Sequence, residues 1–406
     1  MNIKKISFNY HSKFPKGKIK IYTSKFLKSK LDLSLAYSPG VAWPCIEIYF
    51  NNKNAFHYTG RGNLIGIVSN GTAVLGLGDI GPLASKPVME GKAILFNKFA
   101  GINAFDLEID CSNSLFFIKI IKSLEPTFGG INLEDIKSPE CFKIEKKLKK
   151  IMNIPVMHDD QHGTAIISGA ALINALILIN KNIKNIKIVI SGAGAAAISC
   201  AQLYLKLGLN KDNIIMCDSK GVIRKDRINI DSIKANFATN RNIYTISDAI
   251  KKSDIFLGLS VGNIINIDHI QSMSTNPIVF ALANPNPEIS YKLAMSSKKN
   301  IIIATGRSDH PNQINNLLSF PYIFRGALDS RIKIINNKIK LAVVSALSNL
   351  AKKDIPKSLK KHYNNFNIFF SKNYIIPKPL DPRLLNYISS AIINTSIRYN
   401  MSGIFN

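Results

Sequence analysis

Short apolar runs and longer helical stretches alternate along most of this chain. Runs typical of buried strands occur between residues 64 and 110, in LIGIVS, TAVLGLG and INAFDLEI, and one helical stretch covers residues 87–99. A second series begins at residue 186, in IKIVI, NIIMCD, DIFLGLS, PIVFALANP and NIIIATG. Because strands that are separated by helices form parallel sheets, this pattern predicts an α/β fold.

The length of the chain predicts two domains, because 406 residues exceed the size at which a single hydrophobic core keeps growing. A charged amphipathic helix over residues 140–152 ends before Pro155, which marks the expected boundary between residues 1–154 and 155–406. The first domain is predicted to be α/β behind a basic, weakly structured lead. The second is predicted to be a Rossmann-type, doubly wound parallel sheet with closing C-terminal helices.

No segment predicts export or a membrane span. The longest nearly apolar stretch, residues 165–179, is interrupted by Ser168 and Asn174 and is shorter than the roughly 20 residues that cross a bilayer. The N-terminal lysines are not followed by the apolar run of a secretory signal. Five scattered cysteines without a CxxC pair argue against a disulfide framework and a zinc cluster. We therefore expect a buried helix and a cytoplasmic protein.

The formal charge of +27 has two explanations. Clustered lysine and arginine would favour a nucleic-acid partner, since they release counterions from phosphates. Here the lysines are spread along the chain and interleaved with isoleucine and asparagine, as in INKNIKNIKIV, which is typical of an AT-rich coding sequence. We expect no specific nucleic-acid partner, and a basic nucleic-acid-binding protein on a degenerate enzyme fold remains an alternative.

Two glycine-rich loops match the dinucleotide pattern, GLGDIG from Gly76 and GAGAAA from Gly192. The first is followed by Pro82 and SKP, which is a poor start for a helix, so it is predicted to be a tight turn near the substrate. The second follows an apolar strand and opens a helix-forming run, the order that seats a pyrophosphate on a helix N-terminus. The predicted phosphate-binding residues are Gly192, Ala193, Gly194, Ala195 and Ala196.

The residues after the next predicted strand bear on the choice of cofactor. Asp218 ends IIMCD, where an acid normally holds the ribose 2′-OH of NAD. Ser219 and Lys220 follow directly and can donate to a 2′-phosphate. The sequence therefore favours NADP and leaves NAD open.

Three carboxylates precede the second loop, Glu134 and Asp135 in INLED and Asp160 in MHDDQHGTA. Hard cations such as Mg²⁺ or Mn²⁺ take several oxygen ligands, and a 2-hydroxy acid supplies two of them as a chelate. Helix capping needs one side chain for each helix, whereas both places carry adjacent acids. This order predicts metal-assisted hydride transfer from a hydroxy acid. A metal-independent Rossmann dehydrogenase of a hydroxy or amino acid, which would not need the three carboxylates, is the alternative.

Several longer segments carry a resemblance to a known family. The sequence from about residue 14 to residue 384 resembles the malic enzymes, in particular the bacterial NADP-type subgroup. The resemblance implies oxidative decarboxylation of (S)-malate to pyruvate and CO₂ with reduction of NADP or NAD, dependence on Mg²⁺ or Mn²⁺, and a homodimer or higher oligomer. It rests on LAYSPGVAWPCIEI, SNGTAVLGLGDIG, KPVMEGKAILFNKFAGINAFDLEID, EPTFGGINLEDIKSPECF, IPVMHDDQHGTAIISGAA, SGAGAAA, CDSKGVI, ALANPNPEI and ATGRSDHPNQINN.

The resemblance also implies residue roles. Tyr37 would be the general acid, Lys92 a substrate-contacting general base with a depressed pKa, and Asp159 the acid that supports this lysine. Glu134, Asp135 and Asp160 would be the metal ligands. The residues that would orient the substrate carboxylate and the nicotinamide are Asn284, Asn315 and Asn316.

Two departures from the family pattern stand out. Animal members carry an arginine that grips the substrate carboxylate at the place of Ala73, so another cation is expected to replace it, with Arg61 and Arg307 as candidates. Many members of the bacterial subgroup also carry a long C-terminal domain that resembles phosphate acetyltransferases. This sequence ends at Asn406, so regulation or assembly through that domain is expected to be absent.

Overall fold

The computed structural model describes residues 3–74, 76–363 and 368–403 and confirms the α/β fold. The first sheet has four parallel strands in the order β2-β1-β3-β4. Its two central strands run through GINL and LIGIVS, whose side chains are almost all buried. The strands are β1 (Leu64–Ser69), β2 (Asn103–Glu108), β3 (Gly130–Leu133) and β4 (Val156–His158).

The second sheet is the predicted doubly wound one. Its order is β10-β9-β8-β5-β6-β7, and all neighbours are parallel except the short edge strand β7. The chain leaves β5 toward β6 and later returns on the other side as β8, so the strand order reverses at β5 and opens a crevice there. The strands are β5 (Ile188–Ser191), β6 (Ile214–Asp218), β7 (Gly221–Val222), β8 (Ile255–Gly258), β9 (Ile278–Ala281) and β10 (Ile302–Thr305).

Helices cover both faces of this sheet, as the alternation along β5 illustrates. Ile188 and Ile190 join one hydrophobic core, whereas Val189 between them joins the other. The helices are α1 (Ile3–Ser12), α2 (Lys30–Ala36), α3 (Ala42–Phe50), α4 (Ala55–Tyr58), α5 (Gly81–Ala100), α6 (Ser114–Ser123), α7 (Glu140–Ile151), α8 (Asp159–Leu178), α9 (Ala195–Lys206), α10 (Ser232–Ala235), α11 (Ile246–Ile250), α12 (Ile267–Ser272), α13 (Tyr291–Ser297), α14 (Phe320–Ser330), α15 (Asn337–Ala351), α16 (Lys357–His362) and α17 (Leu384–Arg398).

The segment around the first glycine loop differs from the prediction. TAVLGLG is not a strand; its described residues form a turn in which Gly76 and Gly78 have positive φ angles. The helix after this loop begins at Gly81 rather than at residue 87. The expectation that Pro82 makes a poor helix start was wrong, because a proline in the first turn lacks only an N–H that would have no helical partner. The predicted weakly structured lead also contains α1.

The two sheets share a core through α5 and α14. The Phe96 ring meets the rings of Phe320 and Phe324 edge to face, with centroid distances of 4.8 and 5.4 Å. This contact holds α5 against α14. Lys92 lies on α5 one turn before Phe96. The strand β4 belongs to the first sheet but comes after the expected boundary at residue 154. The division into two domains at that residue stays a prediction.

The longest apolar helix is a core helix. Within the described ranges, α8 is the one helix long and apolar enough to cross a membrane, and 72% of its most apolar window is buried. It begins at Asp159, before the apolar stretch of residues 165–179, so that both acids of MHDDQHGTA lie in its first turn. The N-terminal segment contrasts with it, since α2 and α3 bury no side chain.

Candidate active site

The three predicted metal ligands meet at one edge of the first sheet. Glu134 and Asp135 follow β3, and Asp160 lies just after the neighbouring strand β4. Because the carboxyl ends of parallel strands face the same edge, the three side chains converge. One oxygen from each carboxylate lies within 4.8 Å of the others. The backbone N–H of Asp135 donates to Asp160 Oδ2 at 3.0 Å, which fixes the two segments relative to each other.

The electrostatics of this acidic cluster, Glu134, Asp135 and Asp160, fit a hard divalent cation. Asp135 Oδ2 is buried and has no hydrogen-bond partner among the described residues. Burial, together with the charges of Asp160 and Glu134, raises the pKa of Asp135 to about 9. Buried carboxylates that repel one another are stabilised by nearby positive charge. A divalent cation, which prefers oxygen ligands, would supply that charge.

Lys92 lies against the same cluster. Its Nζ is 2.8 Å from Glu134 Oε1 and 2.5 Å from Asp159 Oδ2, and its side chain is only 8% exposed. Burial alone would lower the Lys92 pKa, but Asp159, Glu134 and Asp160 outweigh burial and raise it above its ordinary value. The expectation of a depressed pKa stays a prediction, because a cation held by Glu134 and Asp160 would oppose the carboxylate charges that raise it.

Two asparagines hold the carboxylates that contact Lys92. Asn316 Nδ2 donates to Asp159 Oδ2 at 2.6 Å, and Asn132 Nδ2 donates to Glu134 Oε2 at 2.8 Å. Asn316 was expected to orient substrate or nicotinamide, and its amide contacts Asp159 here. Asn132 was missed by the sequence reasoning. The sequence gives one indication of Asn132, which is that a polar residue lies inside the otherwise apolar segment GINL.

The remaining predicted residues lie apart from this constellation. Asn315 Oδ1 accepts the backbone N–H of Leu317 at 2.9 Å and so caps a short turn. The side chain of Asn284, which follows β9, is exposed. A methyl group on Gly76 would come within 2.8 Å of the Asn284 carbonyl oxygen, so the first glycine loop lies against the segment after β9. Tyr37 is 74% exposed at the end of α2, and no hydrogen bond joins it to the acidic cluster in the described structure.

Neither candidate for the missing arginine contacts the acidic cluster. Ala73 lies beside the cluster, since its N–H donates to the Asp135 carbonyl oxygen at 3.0 Å. The Arg61 guanidinium donates to the carbonyl oxygen of Glu125 at 3.2 Å and stacks over a phenylalanine ring. Arg307 forms two hydrogen bonds of 2.9 Å to Asp309. Both guanidinium groups are therefore engaged elsewhere.

The second glycine loop lies at the crevice beside β5. A cavity of about 1030 Å³ is lined there by Gly192, Ala193 and Gly194. Gly192 has a φ of 110°, and a methyl group on it would come within 2.4 Å of the Leu259 carbonyl oxygen. Gly194 is the N-cap of α9 and offers no side chain, which leaves the first backbone N–H groups of the helix open to an anion. Ala195 and Ala196 form the first turn of that helix.

The far end of this cavity carries Asp218, Ser219 and Lys220. Both Asp218 oxygens accept hydrogen bonds from Arg227, at 3.0 Å each, and Oδ1 also accepts the Lys220 N–H at 2.9 Å. Burial would raise the Asp218 pKa, but these hydrogen bonds lower it. Lys234 lines the same cavity. Sequence reasoning missed Arg227 and Lys234, because only the β6–β7 hairpin and the loop after it bring them back to Asp218.

These features define an α/β protein with a dinucleotide loop beside one sheet and, at the edge of the other sheet, an acidic cluster suited to a cation together with a buried lysine. Comparison with known proteins agrees with this class. Residues 16–116 and 114–149 match the malic enzyme N-terminal domain, and residues 161–363 match the malic enzyme NAD binding domain. The chain belongs to the malic enzyme family.

Individual relatives are similar over nearly all of this chain. The probable NADP-dependent malic enzyme of Rickettsia prowazekii is 51% identical over 96% of this chain and 51% of its own length. The NAD-dependent malic enzyme of Rhizobium meliloti is 49% identical over 94% and 50%, respectively. The chain thus spans about half the length of these curated relatives. The crystal structure of malic enzyme from Pyrococcus horikoshii is 37% identical, with a TM-score of 0.89 over 99% of this chain and 92% of that one.

Proposed function

We propose that this chain catalyses the oxidative decarboxylation of malate to pyruvate and CO₂ with reduction of a nicotinamide dinucleotide. The observation that carries the proposal is the contact of Lys92 with both Glu134 of the acidic cluster and Asp159. This contact puts the Lys92 amine beside the position where a cation would hold the substrate's hydroxyl group. A cation on Glu134 and Asp160 would oppose the carboxylate charges that raise the Lys92 pKa and so free the amine to accept a proton. The names of the relatives support the substrate, and the metal-independent dehydrogenase is disfavoured by the three converging carboxylates.

The chain's own residues divide the work as follows. Glu134, Asp135 and Asp160 would hold Mg²⁺ or Mn²⁺, and the cation would supply the Lewis acidity that lowers the pKa of the malate C2 hydroxyl and favours decarboxylation. Lys92 takes the C2 hydroxyl proton while hydride leaves for the dinucleotide. Asp159 keeps Lys92 in place, and Asn316 keeps Asp159 in place. Asn284 and Asn315 are proposed to orient the substrate carboxylate and the nicotinamide ring.

Tyr37 is proposed to protonate C3 of the enol product and so complete pyruvate formation. Its ring lies outside the acidic cluster of the same chain, so this role requires either that the N-terminal segment moves or that a second copy supplies the tyrosine. The direct test of the whole proposal is pyruvate formation from malate, Mn²⁺ and NADP or NAD. Absence of pyruvate with both dinucleotides would refute it.

We propose NADP as the preferred cofactor and NAD as a possible one. Arg227 neutralises Asp218 and occupies both of its oxygens, which weakens the group that would otherwise hold a free 2′-OH. Lys220 and Lys234 line the same end of the cavity and are suited to a 2′-phosphate. Family members of both cofactor types are similar to this chain, so the preference depends on these side chains.

Replacing Lys220 by alanine is expected to raise the KM for NADP several-fold and leave the KM for NAD nearly unchanged. The reason is that only NADP carries the 2′-phosphate that an ammonium group can pair with. Steady-state kinetics with both cofactors check this. Lys225→Ala is the matched control, because Lys225 is exposed nearby and does not line the cavity. Equal effects of Lys220→Ala on both cofactors would show that the lysine does not contact the phosphate.

We also propose a homodimer or higher oligomer that forms through the N-terminal segment. Large apolar side chains are exposed there, among them Trp43 at 73%, Tyr49 at 84% and Phe50 at 79%. Large apolar side chains that are this exposed are typical of a surface that another molecule covers. The cytoplasmic location and the lack of a specific nucleic-acid partner stay predictions.

Light scattering of the purified protein is expected to give at least twice the mass of the 44.9 kDa chain. Trp43→Glu should reduce that mass, because a charge in a buried interface is costly. Leu83→Glu is the matched control, since Leu83 is 84% exposed but lies outside the N-terminal segment. A monomeric wild-type protein at the concentrations used for assay would contradict the proposal. Restored activity on mixing inactive Tyr37→Phe and Lys92→Ala proteins would indicate that a second copy supplies Tyr37.

A further inference from the structure

A second buried cluster of charged side chains lies outside the acidic cluster. Glu145 on α7 accepts hydrogen bonds from Lys149 Nζ at 2.5 Å, His162 Nε2 at 2.9 Å and the backbone N–H of His158 at 3.0 Å. Lys340 on α15 reaches the other ring nitrogen, with its Nζ 3.0 Å from His162 Nδ1. The same Nζ also lies 3.3 Å from His162 Nε2.

When Lys340 is protonated, the charges in this cluster do not balance. Lys149 is paired with Glu145, but Lys340 has no carboxylate within 4.0 Å anywhere in the described parts of the chain. Its side-chain contact is with the His162 ring, and the residue is only 9% exposed. A buried ammonium group without a counter-ion is costly. The position therefore favours an anion beside Lys340.

A cavity of about 230 Å³ adjoins Lys340. No acidic residue lines it among the described residues, and Lys206 of α9 lies at its rim. Asn337 is the first residue of α15, so the positive end of that helix dipole also faces the cavity. The volume is smaller than the roughly 300–1,000 Å³ of pockets for drug-sized ligands. The lining residues are His162, Ala165, Ser199, Gln202, Leu203, Leu205, Lys206, Asn337 and Lys340.

We propose that this basic cavity binds a compact oxyanion, either a free one or the phosphate of a small metabolite. Lys340 and Lys206 provide the charge, and the side-chain amides of Gln202 and Asn337 provide further hydrogen-bond donors. The site goes beyond the proposed malate chemistry and shares no residue with the acidic cluster or the dinucleotide cavity. Its size excludes a nucleotide.

The protonation of Lys340 supports the same site. Burial first, and then the charge of Lys149, lower the pKa of Lys340 to about 7. The ionisable groups that face it are Glu145 and Lys149 from α7, His162 from α8 and Lys206 from α9. An anion in the cavity would favour the charged form of Lys340. Binding of an anion that does not itself titrate should therefore weaken as pH rises through about 7.

Calorimetric titration with sulfate tests the proposal, on protein saturated with dinucleotide so that the glycine loop is filled, at constant ionic strength. The wild type is expected to bind saturably, more weakly at about pH 8 than at about pH 6, since Lys340 loses its proton near pH 7. Lys340→Met should weaken binding at least roughly tenfold, the effect of losing about 1.4 kcal/mol. Lys338→Met is the matched control, because Lys338 is on the same helix and does not line the cavity.

A rim variant and a second probe keep the test decisive. Lys206→Met changes an exposed side chain, so it leaves the buried network intact and should weaken sulfate binding several-fold even if Lys340→Met fails to fold. Glycerol phosphate as the second probe separates the two sources of the oxyanion, since tighter binding than sulfate indicates a phosphorylated metabolite. The proposal is overturned if neither probe binds saturably, or if binding is unchanged in Lys206→Met and in any folded Lys340→Met protein.

Discussion

Replacement of Lys92 by alanine is expected to reduce pyruvate formation from malate by roughly 10²- to 10⁴-fold, the usual loss on removal of a general acid or base. The same change leaves Glu134 and Asp159 buried without their shared positive charge. Breaking a buried ion pair costs about 3–5 kcal/mol, so the chelator-treated variant should also unfold at a lower temperature than the wild type. Added Mn²⁺ should restore part of that stability, since the cation supplies the missing charge.

The matched control is Lys98→Ala, because Lys98 lies on the same helix α5 and is exposed. It should keep wild-type turnover and stability. Reduction of supplied oxaloacetate separates the two proton-transfer roles, since this reaction needs a proton at the C2 oxygen but none at C3. Tyr37→Phe should retain more of this partial reaction than Lys92→Ala does. The opposite ranking would reverse the two assignments, and full malate turnover by Lys92→Ala would remove the base assignment altogether.

Asp160→Asn is expected to weaken the apparent affinity for Mn²⁺ by at least roughly 10- to 100-fold, the loss found when groups that only orient metal ligands are altered. The substitution keeps the shape of the side chain and removes one of the three ligand charges. Turnover should fall in parallel at low Mn²⁺ and recover in part at high Mn²⁺. Titration of activity against Mn²⁺ after chelation measures both effects.

Asp79→Asn is the control for the metal prediction. Asp79 is the acid of the first glycine loop. It pairs with Lys137 at 3.2 Å and is 55% exposed, so its loss should leave the Mn²⁺ requirement unchanged. Full activity of chelator-treated wild-type protein without added metal would contradict the assignment of the acidic cluster.

The sequence predicted the sheets well where strands are buried on both sides. LIGIVS and NIIMCD are continuous apolar runs bounded by polar or glycine residues, and both are strands. The strands β3 and β4 were missed, because three or four residues such as VMH carry no periodicity of their own. The register of these strands depends on their pairing with β1 and with each other, which no local pattern encodes.

The sequence predicted part of the candidate site as well. The acids of INLED and MHDDQHGTA were predicted to share a cation from their chemistry and order, and the structure brings them together. Lys92 reaches Asp159 across 67 residues of sequence, and only the family resemblance pointed to that pair. The raised pKa of Lys92 was not predictable, since it depends on how three carboxylates surround one side chain. Contacts between distant helices, such as Lys340 with His162, were likewise invisible in the sequence.

The most direct test of the central claim is to follow malate labelled with ¹³C at C4, in the presence of Mn²⁺ and NADP or NAD. The account predicts that labelled CO₂, unlabelled pyruvate and reduced dinucleotide form in equal amounts, because hydride transfer and loss of the C4 carboxylate belong to one turnover. Reduced dinucleotide that accumulates with labelled oxaloacetate and without labelled CO₂ would contradict it, and would define a simple malate dehydrogenase instead.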